Sequence, residues 1–560
     1  MHLGSSDQSS NVSSQKLSPM DQSSQQSMAT QVNNTLRQDA LLEQNPLIVI
    51  ASNRGPFAFK RDDDGQFTSS RGAGGLVTAL SALAEKHDVL WVASALSEDD
   101  RIWAEQNPSV TNIEGIDLRL IIPDEDQYRQ YYNVIANPLL WFIQHQMWDS
   151  VRNPSITEET WRAWEEGYVA INKQFADAII DSVKDVTDRP IIIFPQDYHL
   201  YLVSQYLRDA LGDSVQIQPF VHIPWPSPDA WRILPEQMRG AMLKSLLLSD
   251  RVGFQTKRDA FNFIQVCRLH VNDAHSFGSR NSIVYKDRKV GVIAYPISID
   301  VEKVNALAQN EEADVNRASV NDYVGDRKLI LRIDRIEPSK NILRGLEAFK
   351  TLLELHPEHH GQVQMLALLV PSRMDVDEYQ SYLQEIMATS GFINAQFGDG
   401  NWEPVRTVLG DNYPRAIAAM TIYDVLLVNP IADGMNLVAK EGPLVNKRDG
   451  VLVLSEHAGA FYELGDYALT VSPFDVFSTA QAMHIALMMP KDKRKADAEA
   501  LRQIISSAGV KQWFYTQLED ALEAIQSNKS STPDTPDTTK SALSRTETGV
   551  SSESTPIANA

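Results

Sequence analysis

Two strand–loop–helix units, far apart in the chain, constrain this sequence more than any other feature. In the first, Lys328-Leu329-Ile330-Leu331-Arg332-Ile333 is an apolar run of strand length, and Ile342, Leu346, Phe349 and Leu353 recur on one helix face. The loop between them, Arg335-Ile336-Glu337-Pro338-Ser339-Lys340-Asn341, carries the cations Arg335 and Lys340 and offers Ser339 or Asn341 as a helix cap. Cations beside the unpaired N–H groups of a helix start make a phosphate site. In the second unit, Val425-Leu426-Leu427-Val428 leads into Asp433-Gly434-Met435-Asn436-Leu437-Val438-Ala439-Lys440-Glu441. Either loop alone reads as solvated surface. Together they offer cations for phosphate and two carboxylates for sugar hydroxyls.

The same alternation runs through the rest of the chain. Leu47–Ser52, Val89–Ala93, Ile191–Phe194 and Pro219–His222 read as strands, as do 363–370, 425–429 and 451–454. Several end in polar residues: Asn53-Arg54, Gln196-Asp197-Tyr198-His199 and His222. Apolar strands separated by helices predict an α/β fold with parallel sheets, helices on both faces and ligands at the C-terminal strand ends. Arg71-Gly72-Ala73-Gly74-Gly75-Leu76 runs into a helix, and its glycines let backbone N–H groups approach a phosphate or sugar. The aromatic segment from Tyr131 to Trp148 reads as helix core. Asp64-Gly65 reads as a hairpin turn, and the pair His359-His360 as a polar turn rather than a metal site.

These patterns divide the chain into an N-terminal Rossmann-like domain at 45–297, a C-terminal one at 298–500 and a last helix at 501–526 packing back toward the first, with Tyr295–Asp300 as linker. Residues 1–44 are rich in Ser, Gln and Asn, and 527–560 in Ser, Thr and Pro; both lack the apolar content that offsets ordering entropy and are expected to be disordered tails. The formal net charge of −22 excludes a general nucleic-acid or acidic-membrane surface, so an anionic ligand needs a local basic pocket. Cys267 is the sole cysteine, and no Cys or Cys/His spacing suggests zinc. No apolar run approaches the ~20 residues of a membrane helix, and the N-terminus has no apolar signal core. A cytoplasmic protein is expected.

Ser52-Asn53-Arg54, Gly74-Gly75-Leu76, Tyr132, Trp141, Asp197-Tyr198-His199, His222-Ile223-Pro224, Pro371-Ser372-Arg373, Asp433 through Glu441, Leu454-Ser455-Glu456 and Ala458-Gly459 occur in one order. In that order they resemble the trehalose-6-phosphate synthases, retaining glycosyltransferases of the GT-B fold, whose two Rossmann-like domains face each other across a cleft. The resemblance covers about 46 to 526. It implies that Arg335 and Lys340 bind the donor diphosphate, that Glu441 binds the ribose, and that Gly74, Gly75, Leu437, Val438, Ala439 and Lys440 complete the donor site. It implies that Asp433 and His222 hold the transferring glucose, and that Arg54, Tyr132, Trp141, Asp197 and Arg373 form the acceptor site. No metal or cofactor is implied; the partners are nucleotide-glucose and glucose-6-phosphate, with a homo-oligomer left open. The pattern departs at Asn341 and Ser298, where glycine is usual, at Gln196, where histidine is usual, and at Ser94, where a second acceptor-side tryptophan is usual. Gln196 with Asn341 is similar to a subgroup that tends to use GDP-glucose. The related glucosylglycerol-phosphate and validoxylamine-phosphate synthases keep other phosphorylated acceptors as alternatives. A catalytically idle sugar-phosphate sensor is the alternative of another class.

Overall fold

The structure is a computed structural model that describes residues 45–72, 87–149, 151–276, 278, 281–374 and 376–530. Gly74 and Gly75, and the segments 1–44 and 531–560, lie outside them.

The C-terminal sheet is wholly parallel. In chain order its strands are Lys328–Arg335, Val363–Val370, Val405–Leu409, Val425–Val428, Val451–Ser455 and Leu469–Val471; across the sheet they lie third, second, first, fourth, fifth, sixth. That order reverses direction between Lys328–Arg335 and Val425–Val428, which pair side by side. Connections leave these two strands toward opposite sides, so a crevice opens at their C-terminal ends. The loops carrying Lys340 and Asp433 are the two that meet there.

The N-terminal half repeats this logic. Leu47–Ser52 lies between Val89–Ser94 and Ile191–Pro195, parallel to both. The loop after Leu47–Ser52 therefore faces the loop after Ile191–Pro195, which sets Asn53-Arg54 beside Gln196-Asp197. A bridge from Gln196 to Phe220 connects this sheet to Phe220–Val221, Arg251–Phe254 and Arg288–Ala294. Phe57–Arg61 and Phe67–Arg71 form the expected hairpin, with Gly65 at φ 79° and Asp62 Oδ1 accepting from the Asp64 and Gln66 N–H groups.

The last helix, Val510–Ser530, runs beyond 526. Its apolar face buries Trp513, Phe514, Leu518, Ala521 and Leu522. Phe514 packs against Phe194 and Trp513 against Phe220 in the N-terminal sheets, with ring centres 5.0 and 5.1 Å apart. Trp513 Nε1–H donates to the Tyr295 carbonyl at 2.9 Å, and the Tyr295 hydroxyl to Asp520 at 2.6 Å. The helix Val510–Ser530 is thereby locked onto the linker. The halves also touch through bare backbone: a methyl group on Gly434 would meet the His222 carbonyl oxygen at 1.9 Å. Only glycine permits that approach.

Candidate active site

The loop after Lys328–Arg335 departs from the capped helix start expected of it. Asn341 stands at the N-cap position but is left-handed, φ 57°, ψ 40°, and its side chain caps nothing. Its amide donates instead to the carbonyls of Asn429 at 2.9 Å and Pro473 at 2.7 Å. The Ile342 N–H finds the Tyr382 hydroxyl at 2.7 Å, and the Ser339 hydroxyl is buried without a partner. The left-handed region favours glycine and tolerates asparagine. This explains why Asn341 can stand where glycine is usual, and its amide adds a tie that glycine lacks.

The loop delivers Lys340 to Asp433, Nζ to Oδ2 2.5 Å, with both side chains largely buried. Asn436 donates to the same oxygen at 3.0 Å. Burial pushes the Asp433 carboxyl up, but the Lys340 charge and hydrogen bond outweigh it and hold the group below the usual carboxylate range. An ammonium and a carboxylate thus sit side by side, one suited to phosphate and one to sugar hydroxyls.

Arg335 is half exposed to the cleft and lies 3.4 Å from Glu337. Glu337 is wholly buried and accepts from Arg373 Nη1 at 3.0 Å and from Ser372 Oγ at 3.1 Å. Burial raises its carboxyl, yet Arg335, Arg373 and Lys340 together bring it down to about 2. Sequence reasoning passed over this residue; an acid between two cations was the available signal. Its folded value lies below the ordinary 4.5, so its stabilisation is present above pH 4.5 and is lost as pH falls toward 2. Glu337→Gln is expected to destabilise the fold by about 3–5 kcal/mol at neutral pH and to flatten the acid dependence in that window. Urea unfolding at several pH values checks this; parallel pH profiles for variant and wild type would refute it.

The Lys440 side chain is engaged within the protein. Its buried ammonium binds the Ile297 carbonyl at 2.9 Å and both Glu463 oxygens at 2.8 and 3.0 Å, which ties the linker to the C-terminal half. Leu437 precedes the helix Val438–Val445, and Asn436 Oδ1 caps the Ala439 N–H at 3.2 Å. Glu441, nearly buried, accepts from the Tyr413 hydroxyl at 2.9 Å, and burial raises its pKa.

Across the cleft, Gln130–Trp141 winds as a wide π-helical segment with Pro138 inside it. Such turns are uncommon and recur at functional sites. This one presents Tyr132, stacked on His199 at 5.8 Å, and Trp141, stacked on His145 at 4.0 Å. Arg373 has φ 49° and reaches over from the C-terminal half. Its guanidinium lies 4.3 Å from the Trp141 ring centre, and it donates to the hydroxyls of Tyr379 at 3.0 Å and Tyr198 at 3.4 Å. Arg54 is exposed and has no acidic partner among the described residues.

His222 sits on the wall between the two sides. Gln196 donates to the Phe194 carbonyl, leaving its Oε1 to take the His222 Nε2 proton at 2.9 Å. Gln255 accepts from the Ile297 N–H through Oε1, leaving its amide to face His222 Nδ1 at 3.3 Å. The network sets the Nε2–H tautomer, and burial keeps the ring neutral with a pKa of about 3. Asp197, at φ 70°, accepts from the His222 N–H at 3.1 Å; burial raises its carboxyl to about 7.

A cleft of about 780 Å³ collects these groups. Arg54, Tyr132, Trp141, Asp197 and His222 line it from one half, and Arg335, Lys340, Arg373 and Asp433 from the other. Sequence reasoning missed His145, which lines the same cleft one helical turn beyond Trp141. Its Nδ1–H donates to the Trp141 carbonyl at 2.8 Å, and burial holds its pKa at about 4. Its Nε2 is therefore a hydrogen-bond acceptor, and no partner among the described residues takes it. His145→Ala is expected to lower kcat/KM about tenfold, the worth of one hydrogen bond of ~1.4 kcal/mol. Steady-state kinetics on folded variant protein test this, and an unchanged kcat/KM would remove His145 from the site. Ser94 is buried with an unpartnered hydroxyl, and a second chamber of about 690 Å³ opens nearby, bounded by Ala95 and Leu96 and sharing Asn53, Arg54 and Tyr132 with the cleft.

Two Rossmann-like halves that meet across one cleft are the arrangement of the GT-B class of glycosyltransferases. The chain belongs to glycosyltransferase family 20, whose model matches residues 46–523. It is 31% identical to the UDP-forming alpha,alpha-trehalose-phosphate synthase of Schizosaccharomyces pombe, over 83% of this chain and 88% of that protein. Its fold is similar to the Escherichia coli trehalose-6-phosphate protein bound with UDP-2-fluoro glucose: TM-score 0.73, 27% identity, 84% of this chain and 99% of that one. It is also similar to the UDP-forming synthase of Burkholderia xenovorans in complex with glucose-6-phosphate: TM-score 0.72, 26% identity, 85% and 100% covered.

Proposed function

We propose that this chain transfers glucose from a nucleotide-glucose to glucose-6-phosphate with retention, giving alpha,alpha-trehalose-6-phosphate. The observation that carries the reading is one cleft in which the Lys340–Asp433 pair faces Arg373 over Trp141. The donor diphosphate lies against Arg335 and Lys340, and its glucose against Asp433 and His222. The acceptor ring rests on Tyr132 and Trp141, with its phosphate between Arg54 and Arg373. As the glycosidic bond breaks, negative charge grows on the leaving diphosphate, where preorganised cations act most strongly. Same-face attack by the acceptor hydroxyl then needs no protein nucleophile. Because Arg335 and Lys340 carry that charge, a chelator is expected to leave the rate unchanged; a strict metal requirement would contradict this mechanism.

The relatives' UDP-forming chemistry supports UDP-glucose as donor, whereas Gln196 and Asn341 favour GDP-glucose. Another phosphorylated acceptor is the second reading, favoured by the chamber near Ser94 that shares the acceptor wall. The deciding experiment crosses UDP- and GDP-glucose with glucose-6-phosphate and glycerol-3-phosphate and follows nucleoside diphosphate release. Release dependent on glucose-6-phosphate is expected. No release with any pair would overturn this reading and favour the sensor alternative.

A further inference from the structure

A second cluster of chemistry-bearing side chains lies at the far end of the C-terminal sheet. His359 and His360 adjoin in sequence but part in space, His360 pairing with the Leu353 carbonyl at 2.8 Å. His359 instead meets His484 of the helix Val476–Met488, Nε2 to Nδ1 3.0 Å. His356 stacks on His484 with ring centres 3.6 Å apart, and its Nδ1 lies 3.2 Å from Glu358. One ligand atom each from His356, Glu358 and His484 falls within 4.8 Å of the others.

Among the described residues, two imidazoles and one carboxylate bring their ligand atoms together here, and a third imidazole, His359, backs His484. Lys328 is turned away onto the Leu487 carbonyl. Neutral imidazoles with a carboxylate are the donor set of zinc-class cations. Parallel rings do not aim their lone pairs at one point, so binding turns the His356 ring, which is held by its stacking on His484 and by Glu358 and Gln481, the last at 3.4 Å.

We propose that His356, Glu358 and His484 form a structural site for a zinc-type divalent cation, with His359 orienting His484 from behind. The site would join the C-terminal end of the helix Ile342–Leu355 to the helix Val476–Met488. Asn341, at the opposite end of the first helix, bonds Pro473 near the start of the second, so the metal braces the pair that frames the donor loop. The length of an eight-residue strand, about 26 Å, separates the cluster from the cleft, so the metal takes no part in the transfer. The test uses the full chain freed of metal by dialysis and titrated with Zn²⁺, followed by calorimetry and thermal unfolding. One equivalent is expected to bind and raise the Tm, with affinity at least tenfold weaker in His356→Ala and His484→Ala and kcat unchanged. His484→Gln keeps side-chain bulk and polarity and must also lose the site. Equal Zn²⁺ affinity in wild type and these variants, or no rise in the wild-type Tm, overturns the proposal.

Discussion

Lys340→Ala is expected to lower turnover about a hundred- to a thousand-fold, the ~2.7–4 kcal/mol that one preorganised charge contact supplies in a closed site. The geometry makes this a demanding test, because Lys340 also neutralises Asp433. Removing the ammonium leaves a largely buried carboxylate without its counter-ion, which costs stability as well as rate. Two companion variants separate the effects. Arg335 is half exposed and only one of the cations around Glu337, so Arg335→Ala is expected to lower kcat similarly with little change in Tm. Lys340→Ala combined with Asp433→Asn removes both charges and is expected to recover stability without recovering turnover. The measurements are kcat from nucleoside diphosphate release and Tm for each protein. Full turnover in Lys340→Ala or Arg335→Ala, with the fold intact, would sink the donor-site assignment.

The apolar central strands were legible because burial on both faces leaves an unbroken run, as in Val363–Val370. The edge strands Val405–Leu409 and Leu469–Val471 were not: each is partly exposed, and the second is only three residues long. The strand order that brings Lys340 to Asp433 follows from pairing between distant segments, which no local pattern encodes. Motif residues that line the cleft could be named from the sequence, whereas His145 and Gln255 could not, since each is defined by the partner it meets in space; Glu337 lay between two cations, but its burial against Arg373 comes only from the fold. Lys440 shows the limit from the other side. It adjoins Glu441 in sequence, but consecutive helical residues point about 100° apart, and its ammonium faces Glu463 and the linker. Asn341 at the N-cap position suggested a side-chain cap; its left-handed backbone turns the amide toward Asn429 and Pro473 instead.

Arg373→Ala is expected to lower kcat/KM for glucose-6-phosphate by about thirty-fold or more, the ~2–5 kcal/mol lost when one partner of a buried charge contact is truncated. Arg373 is held on three sides, by Glu337, by the hydroxyls of Tyr379 and Tyr198, and by the Trp141 face. That grip removes rotational freedom, so the guanidinium is preorganised for an acceptor phosphate rather than recruited by it. Donor affinity is expected to stay near the wild-type value, because Arg335 and Lys340 are untouched. Arg373→Lys keeps the charge but loses the fork and most of the stacking on Trp141, and is expected to recover only part of the loss. The variant also exposes the reading of the acceptor to a direct test, with glucose-6-phosphate and glycerol-3-phosphate assayed side by side and nucleotide-glucose affinity measured separately. Tyr132 and Trp141 form a wall that suits a hexose, so wild type should prefer glucose-6-phosphate. A preference for the glycerol compound would overturn the trehalose-6-phosphate product while leaving the donor side standing. Lost donor affinity with acceptor use intact would place Arg373 on the other side of the reaction.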